Sequence, residues 1–392
     1  ANYTALGKPR RSDDLTPGGR NDRRPDRAVI AYCNLIRRHF KPTVPLVIGG
    51  IEASLRRIAH YDFWTNQIRR SVLFDAKADY LLYGMAEGTM LELVRRLENA
   101  KPLPGQNNSP PEAGSFIAGD SAAGPFPGNA KRCATAKLAA RSTGLLGLDH
   151  EPCRPDGRHS QASPRDLPGL CHTATTPPEG YLQLPSFEDV VKDKAAFVEM
   201  FRIFAANTEP GSAGLAQRHG TRWLVQNPPA PYPAQDELDA IYELDYEHAV
   251  HPYYARLGKV PALDTVRFAV TTHRGCFGEC SFCAVAAHQG RRIRSRSVAS
   301  ILREVAKFAK HPAFRGIVPD VGGPTANMYG WDCERTAAGK PPCADRRCAW
   351  PAACGKLRSG HGEHLRLLRE IRSLPGIRKV FIASGIRHDL VM

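Results

Sequence analysis

Residues 274–283 read Arg-Gly-Cys-Phe-Gly-Glu-Cys-Ser-Phe-Cys, which sets Cys276, Cys280 and Cys283 at CxxxCxxC spacing directly after the apolar run 266–270. Three thiols within eight residues make one donor set. A cubane iron-sulfur cluster has four irons, and ordinary electron-transfer ferredoxins fill every corner with cysteine. A three-cysteine loop leaves one iron open to an exchangeable ligand that brings its own amino and carboxylate groups. Phe282, between the last two cysteines, supplies an aromatic face suited to a nucleobase beside that corner. The competing reading is zinc, with His273 or His288 as fourth donor. It is the weaker one, because no second CxxC hook lies nearby. A disulfide reading is weaker still, since nothing else argues for an oxidising compartment.

The 392 residues suffice for two or three domains, and an apolar content of 42% is ordinary for a globular chain. No run of 18 apolar residues and no signal-peptide pattern is present, so neither a membrane span nor export is indicated and a cytoplasmic location is expected. Eleven cysteines would suit a disulfide scaffold, but seven crowd between 276 and 354, which metal chemistry explains better. The formal charge of +15 admits a polyanionic partner such as RNA, although a basic average spread over many arginines is weak evidence for one.

Working outward from the cysteine loop toward the N-terminus, residues 1–27 are polar, rich in Arg, Asp and Gly, and read as a disordered lead-in. Residues 28–100 read as a partial Rossmann-like layer: a helix over 28–40, a strand over 44–48 ending at Gly49-Gly50, a second strand over 78–83 ending at Gly84, and a helix over 88–97. His60 is a candidate ligand or substrate contact, with a structural histidine the plainer account. Residues 101–180, filled with Pro, Gly, Ser and Ala, read as a low-complexity linker or insertion. Residues 181–260 read as a bridging segment, with Ser186 capping a helix that runs through Phe197 and Phe204 and a short strand near Trp223.

Residues 261–392 carry the chemistry. A strand over 266–270 delivers the cysteine loop, Ser297 caps a helix with apolar positions 298, 301, 302, 305 and 308, and a second strand spans 316–321. Two such βα units in series suit the start of a (β/α) barrel, where reactive groups collect at the C-terminal ends of strands. There stand Gly322 and Gly323, whose missing side chains leave the backbone accessible. A helix over 363–371 and a third strand over 379–384 lead to Arg387, placed to reach a carboxylate. The run Arg291-Arg292-Ile293-Arg294-Ser295-Arg296 could grip a phosphate or carboxylate, or form a solvated basic turn. Cys333, Cys343, Cys348 and Cys354 lie within 22 residues poor in apolar side chains and are candidate ligands for a second metal or an auxiliary cluster.

The phrases GGIEASLRRIAHYDFW, LPSFEDV, RGCFGECSFCAVAAHQGRRIRSRS, DVGGPTANMYG and IASGIRHDL together resemble the YgiQ family of radical SAM proteins. The resemblance implies a 4Fe-4S cluster on Cys276, Cys280 and Cys283 with S-adenosylmethionine on the open iron. It also implies an electron donor such as flavodoxin or ferredoxin, and a cobalamin-domain-like layer ahead of an incomplete TIM-like radical SAM barrel. Cobalamin itself is not supported, because the histidine motif that ligates cobalt is not visible. Proline follows the glycine pair where such enzymes usually have glutamate, so that correspondence ends at Gly323. Family members run past residue 392, and the expectation is a fragment, inactive or unstable alone. The reading is a radical SAM enzyme of unknown substrate, with a zinc- or cluster-stabilised nucleic-acid-binding protein without catalysis as the alternative.

Overall fold

The computed structural model describes residues 3–4, 7–41, 44–99, 163–340, 343 and 348–391. The lead-in is pinned rather than loose in its described part. Asp13 and Thr16 are buried, the Asp13 carboxylate accepts from Arg24 Nε at 2.5 Å, and Gly18 N–H donates to Lys259 O at 2.9 Å. A segment with few apolar residues can thus be ordered by polar contacts made far along the chain, which composition does not report.

Helix α1 (Ala28–His39) precedes strand β1 (Val47–Ile48), helix α2 (Gly50–Leu55), the hairpin β2 (His60–Asp62) and β3 (Gln67–Arg69), helix α3 (Val72–Asp75), strand β4 (Tyr80–Leu82) and helix α4 (Glu87–Asn99). Strand β5 (Leu170–Ala174) and β6 (Leu182–Leu184) lead to helices α5 (Phe187–Lys192) and α6 (Lys194–Ala206), and then to β7 (Leu215–His219) and β8 (Arg222–Gln226). Six of these strands form one sheet in the order β1-β4-β5-β8-β7-β6. Only the outer pairs β1/β4 and β6/β7 are parallel; the three inner pairings are antiparallel. The expected open parallel layer is therefore a mixed sheet. Its centre is β5, drawn from the stretch read as linker, and the rest of that stretch up to residue 162 lies outside the described residues. β6, β7 and β8, drawn from the expected bridge, are half of the same sheet, and β7 and β8 join through Gly220 (φ +64°) and Thr221, a two-residue hairpin loop of the kind that needs positive φ.

Local chemistry explains the helices. Ser186 and Asp189 form a reciprocal capping box on α5, and Asp193, extended at φ −126°, ends α5 and caps α6 through Ala195 N–H. The single helix expected there is thus two. Behind the sheet one core joins Ile48, Ala53, Leu73, Leu81, Cys171, Val190, Met200, Leu215 and Leu224.

Helices α7 (Gln235–Tyr242), α8 (Pro252–Ala255) and α9 (Leu263–Val266) lead to the C-terminal portion. There the strand expected over 266–270 shrinks to β9 (Val270–Thr271), followed by β10 (His273–Arg274) and helix α10 (Val285–Gln289). Strand β11 (Arg294–Ser295), helix α11 (Val298–Ala309), the successive short strands β12 (Ile317–Val318) and β13 (Val321–Gly322), and β14 (Asp332–Cys333) come next. Helix α12 (Glu334–Ala337), strand β15 (Leu357–Arg358), helix α13 (Gly362–Ser373) and strand β16 (Lys379–Val380) complete the order. β13 pairs with β9 and β12 with β16, both in parallel, so two strand-helix-strand crossovers lie side by side. Ile301, Val305 and Phe308 on α11 and Leu367 and Ile371 on α13 close over Phe268, Val270, Val318 and Val321 as a second core. The chain is α/β in both portions.

Candidate metal centre

Strand β9 and the short β10 aim the chain into the cysteine loop, and two glycines let it turn there. Gly275 sits at φ +80°, and a Cβ on it would fall 1.9 Å from Arg292 O, so no larger residue fits. A Cβ on Gly278 would meet Arg387 Nη1 at 3.1 Å, Cys276 Sγ at 3.3 Å and Cys280 Sγ at 3.7 Å. That glycine therefore leaves a small cradle bounded by two of the three thiols and by the arginine. Cys276 is half-buried, with Sγ 3.3 Å from Thr325 Oγ1 and also 3.3 Å from the Gly278 N–H that donates to it. Cys280 and Cys283 are exposed, and Phe282 stands 89% exposed beside them.

The Gly322-Gly323 pair lies at the end of β13. A Cβ on Gly322 would fall 2.5 Å from Ser384 Oγ, and one on Gly323 2.6 Å from the His273 ring. His273 is fully buried, its Nδ1 2.9 Å from Thr272 Oγ1, and burial holds its pKa down at about 4, so the ring is neutral. Arg387 is fixed through its backbone: Asn327 Oδ1 accepts from Arg387 N–H at 3.1 Å and Asn327 Nδ2 donates to Arg387 O at 3.0 Å. Asn327 and Thr325 were not singled out from the sequence, although they follow the glycine pair in the same phrase.

Of the second cysteine group, Cys333 and Cys348 pack, together with Cys276, against a small core of Phe277, Ile293, Met328, Trp331 and Leu357. The β14/β15 pair sets Cys333 opposite Leu357, whose N–H donates to Cys354 O, and Cys354 N–H donates to Cys348 O. Burial pushes the Cys348 thiol up to about 11, with the neighbouring Cys354, Cys333 and Cys343 adding to the rise and Arg291 opposing it. All cysteines among the described residues are free thiols, and no three His, Cys, Asp or Glu side chains among those residues are closed into a ligand cage.

The arginine run is neither a clamp nor a solvated turn. Arg291 pairs with the buried Glu209, Arg296 is fully buried against Glu304 and Ser300, Arg294 donates to Pro233 O, and Arg292 leans over Tyr232. His60 is held at Ile58 O, and burial drives its pKa down to about 4. The cysteine loop docks on the N-terminal sheet through α10 and α2, with Ser54 Oγ 2.9 Å from His288 Nδ1, and through Arg274 Nη1 at 2.7 Å from Glu87 Oε1. No helix among the described residues is long and apolar enough to cross a membrane.

The family model described as "Radical SAM N-terminal" matches residues 1–269. UPF0313 proteins are similar over the whole chain: one from Fusobacterium nucleatum is 42% identical, one from Thermotoga maritima 40%, and one from Methanocella arvoryzae 41%. The chain spans 58%, 58% and 55% of those relatives' lengths, respectively. The phrases that resemble YgiQ, the whole-length identity and the matched N-terminal region agree, and this chain belongs to the YgiQ-like UPF0313 family of radical SAM proteins.

Proposed function

We propose that this chain carries the cluster- and SAM-binding part of a radical SAM enzyme. Cys276, Cys280 and Cys283 would hold a 4Fe-4S cluster. Bound there, the cluster would supply the electron that cleaves S-adenosylmethionine into methionine and a hydrogen-abstracting 5′-deoxyadenosyl radical. The observation that carries the reading is the cradle at Gly278, with two of the thiols and the Arg387 guanidinium around it. The residues fit the group: two thiols are exposed and unoxidised, and two glycines free the loop to close. Arg387, its backbone clamped by Asn327, would meet a carboxylate; Gly322 and Gly323 would let backbone approach an amino group; Phe282 would cover an adenine. The parallel strands β9, β12/β13 and β16 would be the first part of a TIM-like barrel, and a flavodoxin or ferredoxin would deliver the electron. Cys333, Cys343, Cys348 and Cys354 would bind a second metal.

The test is anaerobic reconstitution with iron and sulfide. The wild type should take up roughly four irons and four sulfides with a brown chromophore. A Cys276→Ala, Cys280→Ala, Cys283→Ala triple variant should lose them while keeping any metal held by the second group. Dithionite with SAM should then release 5′-deoxyadenosine, measured on a full-length relative as well as on this chain. Stoichiometric zinc without a chromophore would favour the non-catalytic alternative.

A further inference from the structure

Arg57, just past the end of α2, is 1% exposed. Its Nε donates to Gln226 Oε1 at 2.9 Å, its Nη1 donates to Ser54 O, and its guanidinium carbon lies 4.4 Å from the ring centroids of both Tyr83 and Phe204. These contacts satisfy hydrogen bonds and offer π-faces, but none carries a negative charge. The nearest ionisable groups are neutral: burial pushes Cys171 up to about 12 and the Tyr83 phenol higher still. The protein treats its other deeply buried arginines differently, setting Glu304 against Arg296 and Glu209 against Arg291. Among the described residues no carboxylate pairs with Arg57. A buried charge without a counter-charge costs several kcal/mol, so a fold that retains one gains from an anion brought from outside.

A cavity lies against Arg57. It measures about 30 Å³, is lined by Arg57, Gly84, Tyr232, Ala287 and His288 among others, and one wall is α10, which begins two residues after Cys283. A water-sized group needs roughly 10–15 Å³, so the space takes two or three water-sized groups, enough for a small carboxylate and not for a nucleotide. We propose that this cavity is a carboxylate-binding site in which Arg57 supplies the counter-charge. On the function proposed above, and resting on it, the carboxylate belongs to the molecule acted on, held one short helix from the cluster loop.

The site itself is tested without iron. Thermal unfolding of the chain is compared in sodium acetate, sodium chloride and sodium phosphate at matched pH and ionic strength, for the wild type, Arg57→Met and Ala287→Leu. Acetate should raise the midpoint of the wild type above its value in chloride and phosphate. Arg57→Met should bind acetate roughly tenfold to a hundredfold more weakly, the loss of one charge-assisted hydrogen-bonding group. Ala287→Leu adds bulk to the cavity lining while keeping Arg57 and should also lose the acetate response; it decides the matter if Arg57→Met does not fold. Equal midpoints in acetate and chloride, a response retained in either variant, or phosphate outperforming acetate would overturn the assignment. Iron uptake is read separately by the visible chromophore, so failure of this site and failure of the cluster reading remain distinct.

Discussion

His219 lies on β7 with its ring stacked on Phe187, centroids 5.4 Å apart and planes 15° from parallel, and with the Phe74 ring tilted against it at 4.8 Å. Its Nε2 is 3.2 Å from Gln217 Oε1, and burial drives its pKa down to about 4 from an ordinary 6.5. The unfolded chain accepts this proton near pH 6.5, whereas the folded chain refuses it until about pH 4. The stabilisation is therefore complete above 6.5 and is lost as pH falls through that interval. At pH 5 the loss from this one residue is about 2 kcal/mol. Urea unfolding at pH 7.5 and pH 5 should show His219→Phe with a smaller pH difference than the wild type by that amount; an unchanged difference would remove His219 as the cause. His60, shifted to about 4 by the same burial, acts in the same direction. At this scale the sequence was legible where a property is intrinsic to the residue, as with the closely spaced thiols of one loop or the missing side chain of a glycine. It was not legible for Arg57 or the 291–296 arginines, because what a guanidinium meets depends on strands and helices distant in the chain. Glu209 and Glu304 are plain surface residues by composition and become counter-charges only in the fold.

Helices were more legible than strands, and the reason is where their stabilisation resides. α11 declares itself locally: Ser297 Oγ accepts from Ser300 N–H at 3.1 Å, and Ile301, Val305 and Phe308 return at helical spacing to the same core. Ser297→Ala should destabilise the chain by about 1 kcal/mol while Ser297→Gly costs only a few tenths, because glycine tolerates the cap conformation and leaves the first turn open to water. Equal losses measured by chemical denaturation would mean that the Ser297 N–H bond to Asp239 Oδ1, 2.9 Å and unchanged by either substitution, sets the helix start instead. Strand β5, by contrast, offers only Leu170-Cys171-His172-Thr173-Ala174 after a long polar stretch, with no alternation to mark it. Its pairing partners, β4 and β8, lie on either side of it in the sheet, and both of its end-to-end registers are set by them. The strand expected over 266–270 was displaced for a related reason: residues 263–266 satisfy their backbone as a helical turn, and only Val270 and Thr271 face a neighbouring strand.

The six-stranded sheet and the C-terminal portion meet where the cysteine loop leaves its strand, and that meeting could not be read from either sequence segment alone. Arg274 precedes Gly275 and Cys276, its Nη1 is 2.7 Å from Glu87 Oε1 at the start of α4, and its Nε donates to Tyr242 Oη at 3.1 Å. The arginine side chain is 13% exposed and the glutamate 40%, so the pair is partly shielded from water. Loop, α10 and N-terminal sheet thus share one boundary, with Ser54 and His288 as its second polar contact. A loop fixed at its first residue has less freedom to lose when it orders around a ligand, so on the proposed cluster role a residue of the N-terminal layer would bear on the chemistry of the C-terminal one. A double-mutant cycle of Glu87→Gln and Arg274→Gln should give a coupling energy of about 1 kcal/mol in global unfolding. Hydrogen exchange should rise across residues 274–290 in each single variant while the amides of β5, β7 and β8 keep their protection, since the inner sheet does not depend on this contact. Additivity within about 0.3 kcal/mol, or exchange rising equally in both regions, would show that the ion pair decorates the boundary and does not hold the loop to it.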